Sequence, residues 1–412
     1  MEASLYLHIP FCAGSCDYCD FYSIPAEPAD PRVDAYIDRL LVDTRQAVSG
    51  GVGAGSGDAV LSVPTVYIGG GTPSLLGRRR LERLLAGLAA LMPNVPLEWT
   101  VEANPESADE AFFETCAATG VTRVSLGVQT FHEPSRVAVN RVGEARLLQE
   151  RLELARSFFP DAFSVDLITG LPFQDEAVLQ ADIERTLAFE PAHVSLYSLT
   201  VDERAPLWKK WKTWEKARGF DCDMDRIDRL WLAGRDRLER NGYVQYEVSN
   251  FCRKGEMREA SAKNMSAHNL RYWRMENWLG IGAAASGTII DDKTGAGVRR
   301  TVAADVDAYL ARPAVAVERL DRAAIVKETF LMGFRTMFGP DEALFRKRFH
   351  ADIEAYIPKT IALWRNKGLF DQERLRLTSA GLLFLDAFLR EAFRELDRGD
   401  DAEQGWGCQW RR

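Results

Sequence analysis

The chain has 412 residues, 46% of them hydrophobic and 27% charged, and its net charge is −8. That composition is globular and supplies enough apolar material for a large core and about two domains. It excludes a global basic field for nucleic acid, and no run reaches the roughly 18 consecutive apolar residues of a membrane span. No leader is read before the first apolar strand, so the cytoplasm is the expected compartment, and its reducing conditions suit free thiols.

The first half alternates short apolar runs with helical stretches. In chain order it predicts a strand at Leu5–Ile9, a helix over Arg32–Val48 and a Gly-rich flexible loop over Ser49–Asp58. Strands at Thr65–Ile68, Leu97–Ala103 and Arg123–Val128 follow, separated by helices over Arg79–Leu91 and Ala108–Thr119. Helices over Glu144–Phe158 and Asp175–Phe189 then alternate with strands at Phe163–Ile168 and His193–Leu199. Six β-runs separated by helices predict an α/β fold with a parallel sheet, open or closed into a barrel. Beyond Thr200 the pattern changes. Trp208, Trp211 and Trp214 sit in a charged stretch, Asp223–Arg240 reads as a helix and Tyr243–Val248 as a strand. Residues 323–396 give three helical segments and a short β-like pair around Leu369–Leu377, the pattern of a winged-helix-like cap. That segment is not strongly basic, so a lid or docking role is expected rather than nucleic-acid binding. The division read from the sequence is 1–205, 206–322, 323–396 and a flexible tail at 397–412.

Cys12, Cys16 and Cys19 follow the first strand in a Cys-x3-Cys-x2-Cys arrangement. Three thiolates hold three irons of a 4Fe–4S cluster and leave the fourth without a protein ligand, where a small molecule can bind. A zinc site is the alternative. It needs four ligands, and His8 or Asp20 would have to complete the set. Seven cysteines in 412 residues, the other four standing alone, argue against a disulfide framework. Glycine and polar residues also cluster after later strands: Gly69-Gly70-Gly71-Thr72-Pro73, Glu102-Ala103-Asn104-Pro105, Gly127-Val128-Gln129-Thr130, and Asp166 with Gly170-Leu171-Pro172. In barrels and open α/β sheets the site lies at the carboxyl ends of the strands, so all these segments fall on one face.

The cysteine triplet, with Tyr18 before its third member and Phe21 after it, resembles the radical S-adenosylmethionine (SAM) superfamily. That resemblance implies a 4Fe–4S cluster whose open iron is chelated by SAM. A SAM site must hold a carboxylate, an amine, a sulfonium, a ribose and an adenine. Gly69–Gly71 let backbone approach a ligand closely, and their carbonyls can accept from the amine. Thr72 adds a hydroxyl, Glu102 and Asp166 suit ribose hydroxyls or a cation, Gln129 offers donor and acceptor, and Arg141 can pair with the carboxylate. Tyr6, the three cysteines, Gly70-Gly71-Thr72, Glu102, Gln129, Val139-Asn140-Arg141 and Asp166 with Gly170-Leu171-Pro172 look like the coproporphyrinogen III oxidase-like branch, from Leu5 to about Phe384. The branch implies a six-stranded (βα)6 partial TIM barrel, the radical SAM core, with a C-terminal cap. Tyr6, Gly70, Gly71, Thr72, Glu102, Gln129, Arg141 and Asp166 match its SAM-contacting positions. Its reaction class is one-electron cleavage of SAM to methionine and a 5′-deoxyadenosyl radical.

Within the branch, the oxidase carries a further cysteine where this chain has Phe21, and a longer segment before the cluster. The chain resembles instead the HemW-type haem chaperones. His268-Asn269-Leu270-Arg271-Tyr272-Trp273 is similar to their haem-binding motif, which implies His268 as an axial haem ligand with Tyr272 and Trp273 stacking on the porphyrin. Two departures bear on the cargo side. Gly143 stands where that group usually has a histidine, and Ser286 closes Gly280-Ile281-Gly282-Ala283-Ala284-Ala285-Ser286 where a histidine is common. The resemblance implies delivery of haem to haem-accepting proteins and an electron donor for the cluster. The alternatives are a hydrogen-abstracting radical SAM enzyme, such as the oxidase, and a zinc-binding adaptor.

Overall fold

The computed structural model describes residues 1–27, 29–49, 61–201, 206–218, 224–255 and 263–400. The Gly-rich segment after Ser49, Cys222 and the tail beyond Asp400 lie outside them. Six parallel strands, β1 (Ser4–Ile9), β2 (Thr65–Gly70), β3 (Glu98–Ala103), β4 (Arg123–Gln129), β5 (Phe163–Thr169) and β6 (His193–Ser198), are neighbours in chain order. Helices cross over between them, among them Pro31–Val48, Gly77–Leu91, Glu110–Ala118, Arg146–Phe158 and Glu176–Leu187. Strand order equal to chain order, with helical crossovers, is the parallel α/β sheet the alternation predicts and the (βα)6 arrangement the resemblance implies.

The period-two alternation of each strand sets its two faces. Leu5, Leu7 and Ile9, Val66 and Ile68, Val124 and Leu126, and Val165 and Leu167 are all buried in one core with the helices. The alternate residues are polar: Tyr6 and His8, Thr65 and Tyr67, Thr100 and Glu102, Ser125, Asp166, His193 and Ser195. The inner face of the barrel is therefore polar and its outer face apolar. Aspartates start the helices that wrap it. Asp30, Asp109 and Asp175 are N-caps whose side chains accept from Arg32 N, Phe112 N and Val178 N.

The sheet continues past both ends of the six. A hairpin, β7 (Tyr243–Gln245) and β8 (Asn250–Arg253), pairs antiparallel to β6. On the other side β9 (Trp278–Ile281) runs parallel to β1, and β10 (Ser286–Ile290), β11 (Gly297–Val302) and β12 (Val315–Leu320) extend it antiparallel. The outermost strands, β12 and β7, end the twelve-stranded order without pairing to each other, so the barrel stays open. The expected strand Tyr243–Val248 stops at Gln245, because the chain turns back and Tyr246 N donates to Asn250 O at 3.1 Å.

A second core gathers Ile325, Phe330, Phe334, Phe345, Trp364 and Phe388 from the C-terminal helices. Where the sequence predicts three helical segments, the chain forms Arg322–Gly333, Glu342–Phe349, Pro358–Asn366, Ser379–Leu382 and Leu385–Asp400. Gly339-Pro340 breaks the first stretch, and Asp341 caps a new helix by accepting from Leu344 N. The wing is one antiparallel bridge, Phe370 with Leu377. The last helix runs on through 397–400, where a flexible tail is expected. Among the described residues no helix is long and apolar enough to cross a membrane.

Candidate functional site

The loop carrying the three cysteines leaves the end of β1 and is tied down by backbone hydrogen bonds. Ile24 N donates to Pro10 O at 2.7 Å and Ala26 N to Cys12 O at 2.9 Å. Asp17 N reaches Val139 O at 2.9 Å, and Leu207 N reaches Asp17 O at 3.1 Å. Cys12, Cys16 and Cys19 are half-buried and free. The Cys19 thiol is pushed up to about 11 by burial, against a backbone N–H at Phe21 that lowers it, with the nearby Cys16 and Cys12 thiols adding to the rise. Cys116 and Cys252, the other described cysteines, are buried in the core. Phe21 is 68% exposed. Among the described residues no three His, Cys, Asp or Glu side chains converge on a single metal ion. Three neighbouring thiols with no fourth fit a cluster with one open iron.

A chain of polar contacts joins the cysteines to the strand ends. Thr72 Oγ1 donates to Cys12 Sγ at 3.4 Å, and Asn104 Nδ2 to Thr72 Oγ1 at 2.9 Å. Arg141 Nη2 donates to Asn104 Oδ1 at 2.7 Å and to Gly127 O at 2.6 Å, while Nη1 faces Cys16 Sγ at 3.6 Å. Arg141 Nε is buried and has no partner. A buried guanidinium N–H left unpaired beside free thiols suits an anionic group such as a carboxylate. Gln129 lies at the register shift between β4 and β5 with φ 67°, a left-handed conformation of the kind that clusters at functional sites.

Deeper in the barrel lie two carboxylates. Glu102 Oε1 accepts from Tyr67 OH at 2.6 Å and Oε2 from Gly70 N at 3.0 Å. Ser125 Oγ lies 3.2 Å from both oxygens of Asp166. Burial pushes both carboxyls up, and Asp166 raises Glu102 further against the donors Tyr67 and Gly70. Tyr6 OH donates to His8 Nδ1 at 2.9 Å, since His8 Nε2 must donate to Tyr22 O at 2.9 Å. Burial pushes the His8 imidazole down, against its hydrogen bond to Tyr22 O, and raises the Tyr6 phenol.

The triple glycine has another reason than ligand approach. A Cβ on Gly69 would lie 2.5 Å from Glu102 Oε2, one on Gly70 (φ +107°) 2.3 Å from His8 Nδ1, and one on Gly71 2.6 Å from Ile9 O. The glycines let β2 close on its own neighbours.

His268, expected as an axial haem ligand, does not join this group. It sits on the helix Ala267–Trp273, near Thr65 and Glu98, the first residues of β2 and β3, at the strand end opposite the cysteines. Nδ1 is 2.8 Å from Thr65 Oγ1 and Nε2 is 2.8 Å from Tyr272 OH, so both nitrogens are occupied. The residue is 1% exposed, and burial pushes its pKa down to about 3. The Tyr272 ring stands edge-on to His268 and Trp278, not on an open face.

Known proteins share this architecture. Residues 6–185 match the Radical SAM superfamily and residues 320–384 the HemN C-terminal domain. The haem chaperone HemW of Lactococcus lactis is 31% identical over 393 residues, covering 92% of this chain and 94% of that protein. The chain belongs to the HemW family of radical SAM proteins. The HemW of Mycobacterium tuberculosis is 32% identical over 393 residues, 94% of this chain and 93% of its own. The coproporphyrinogen III oxidase HemN of Escherichia coli superposes with a TM-score of 0.76 over 95% of this chain and 90% of its own at 20% identity, a likeness of fold. Gly143, where the resemblance leads one to expect a histidine, has φ +87°, a conformation that strains a histidine, and its carbonyl accepts from Arg136 Nη2 at 3.2 Å. Ser286 lies on β10, outside the six barrel strands, 3.0 Å from Thr301 Oγ1. Asn104, Tyr67 and Ser125 carry contacts of the site that the sequence reading did not assign. Tyr67 and Ser125 share the inward set of their strands with Thr65 and Gly127, Asn104 lies one residue past β3 and continues the step from Glu102, and that period-two step was the available signal.

Proposed function

We propose that this protein holds a 4Fe–4S cluster through Cys12, Cys16 and Cys19, binds SAM beside it, and delivers haem to haem-accepting proteins. The observation that carries the SAM half is the Cys12–Thr72–Asn104–Arg141–Cys16 chain, which ends in a buried, unpaired Arg141 N–H. Bound there and reduced by a one-electron donor protein, a cluster supplies the electron that SAM cleavage needs. Arg141 binds the methionyl carboxylate. Thr72 and the Gly70–Gly71 backbone orient the amine. Glu102 and Asp166 accept from ribose hydroxyls, Gln129 and Tyr6 line the nucleoside, and the apolar shell excludes water. A reducing compartment such as the cytoplasm keeps the thiols free.

The haem half rests on the HemW relatives. Anaerobically reconstituted protein titrated with haem should give a saturable Soret shift, and the loaded form should pass haem to an apo-haem protein. A flat titration overturns the chaperone reading. Decarboxylation of coproporphyrinogen by the reduced protein would replace it with an oxidase.

A further inference from the structure

The helix Ala267–Trp273 lies across the starts of β1–β3 and forms the floor beneath the Glu102 layer. Glu98, buried at the start of β3, anchors it by accepting from Ala267 N at 2.8 Å and His268 N at 3.0 Å. Thr65 Oγ1 gives its only proton to Ser4 Oγ at 2.8 Å. His268 Nδ1 must then be the donor to Thr65, and Nε2 accepts from Tyr272 OH. One neutral tautomer satisfies every partner, and no lone pair is left for iron.

The ring so fixed touches the site above it. Its centroid is 5.1 Å from that of Tyr67 at 32°. Tyr67 is confined on the other side, since a Cβ on Gly69 would meet its Cε1 at 2.9 Å. Its hydroxyl therefore has one place to go, Glu102 Oε1 at 2.6 Å. Tyr6 lies tilted beside it, at 31° with ring centroids 6.2 Å apart. The path from the motif helix to the carboxylate is short, buried and continuous.

We propose that His268 is a positioning residue for Glu102, acting through Tyr67, and is not a ligand of haem iron. The ligand that senses it is the vicinal diol of a nucleoside, so the inference rests on the SAM reading above. The test is SAM affinity of the reconstituted protein, wild type against Tyr67→Phe, His268→Ala, His268→Gln and the double variant Tyr67→Phe/His268→Ala. Each of Tyr67→Phe and His268→Ala should weaken SAM about tenfold, the scale of one hydrogen bond to a charged group. His268→Gln, which keeps a donor and an acceptor, should recover most of the loss. The double variant should bind within about twofold of Tyr67→Phe alone, because serial contacts do not add. A SAM analogue with a 2′,3′-dideoxyribose should bind all the variants alike. The haem titration should be unchanged by His268→Ala.

Unchanged SAM affinity in both His268 variants overturns the proposal. So does a double variant with the product of the two losses, or a Soret shift lost in His268→Ala while SAM binding stays. If His268→Ala does not fold with its cluster, His268→Gln and Tyr67→Phe still carry the comparison with the dideoxy analogue. Wild-type protein that holds a cluster and binds no SAM sinks the SAM reading itself, a result separable from a failure of the coupling.

Discussion

Arg141 uses its nitrogens unequally: Nη2 serves Asn104 and Gly127, Nη1 faces the Cys16 sulfur, and the buried Nε has no partner. A carboxylate arriving there gains a charge-assisted hydrogen bond without rearranging the arginine. Arg141→Ala should weaken SAM binding by about 1.5–3 kcal/mol in an equilibrium titration of the reconstituted protein. Undiminished affinity would remove Arg141 from the site. At this scale the cysteines were legible because their chemistry is local to eight residues of sequence. His268 was not. Whether its ring nitrogens are free depends on Thr65, 203 positions away, and a motif carries no record of that partner.

The cysteine loop is an element held by backbone, not by its thiols. Its amides and carbonyls bond to residues 24–26, Val139 and Leu207, and Asn140 Nδ2 adds a bond to Ser15 O at 2.8 Å. Cys16→Ala should therefore abolish the brown cluster absorption while far-ultraviolet circular dichroism stays that of the wild type. A variant that kept full iron content would end the three-thiol assignment. The six barrel strands were legible because apolar and polar residues alternate along each with one partner on either side. Strands β9–β12 were not. β9 and β10 are short, three of the four include glycines of the 280–297 stretch, and their faces are set by register against neighbours rather than by a strong alternation.

Across the whole molecule, two cores meet at one seam. Glu247 and Thr336 form an antiparallel bridge, Met337 N donates to Tyr246 O at 2.9 Å, and Arg348 Nη1 donates to Met275 O at 2.7 Å. Glu247 is 1% exposed, and burial pushes its carboxyl up to about 7 against its donors Ser249 and Asn250 and the charge of Arg335. The folded state thus holds the Glu247 proton more tightly than the unfolded chain. Its contribution to stability is greatest below about pH 4.5 and declines as pH rises through about 7. Glu247→Gln should be more stable than wild type at pH 8 by on the order of 2 kcal/mol, with the gap closing toward pH 4.5. Thermal unfolding midpoints of both proteins across that range decide it, and an equal gap at both ends refutes it.

The clamp on the cysteine loop also sets an order of events during synthesis. Asp17 is held by Leu207 and by Lys210, a partner 193 residues further along the chain. At ~5–20 residues per second, the thiols wait roughly 10–40 s for that clamp to be made. Iron and sulfide delivered in that interval would meet a loop tied only through residues 24–26 and 139–140. The protein's own topology therefore completes the clamp on the cysteine loop only after the sixth strand has been made, a late step of folding rather than its nucleus.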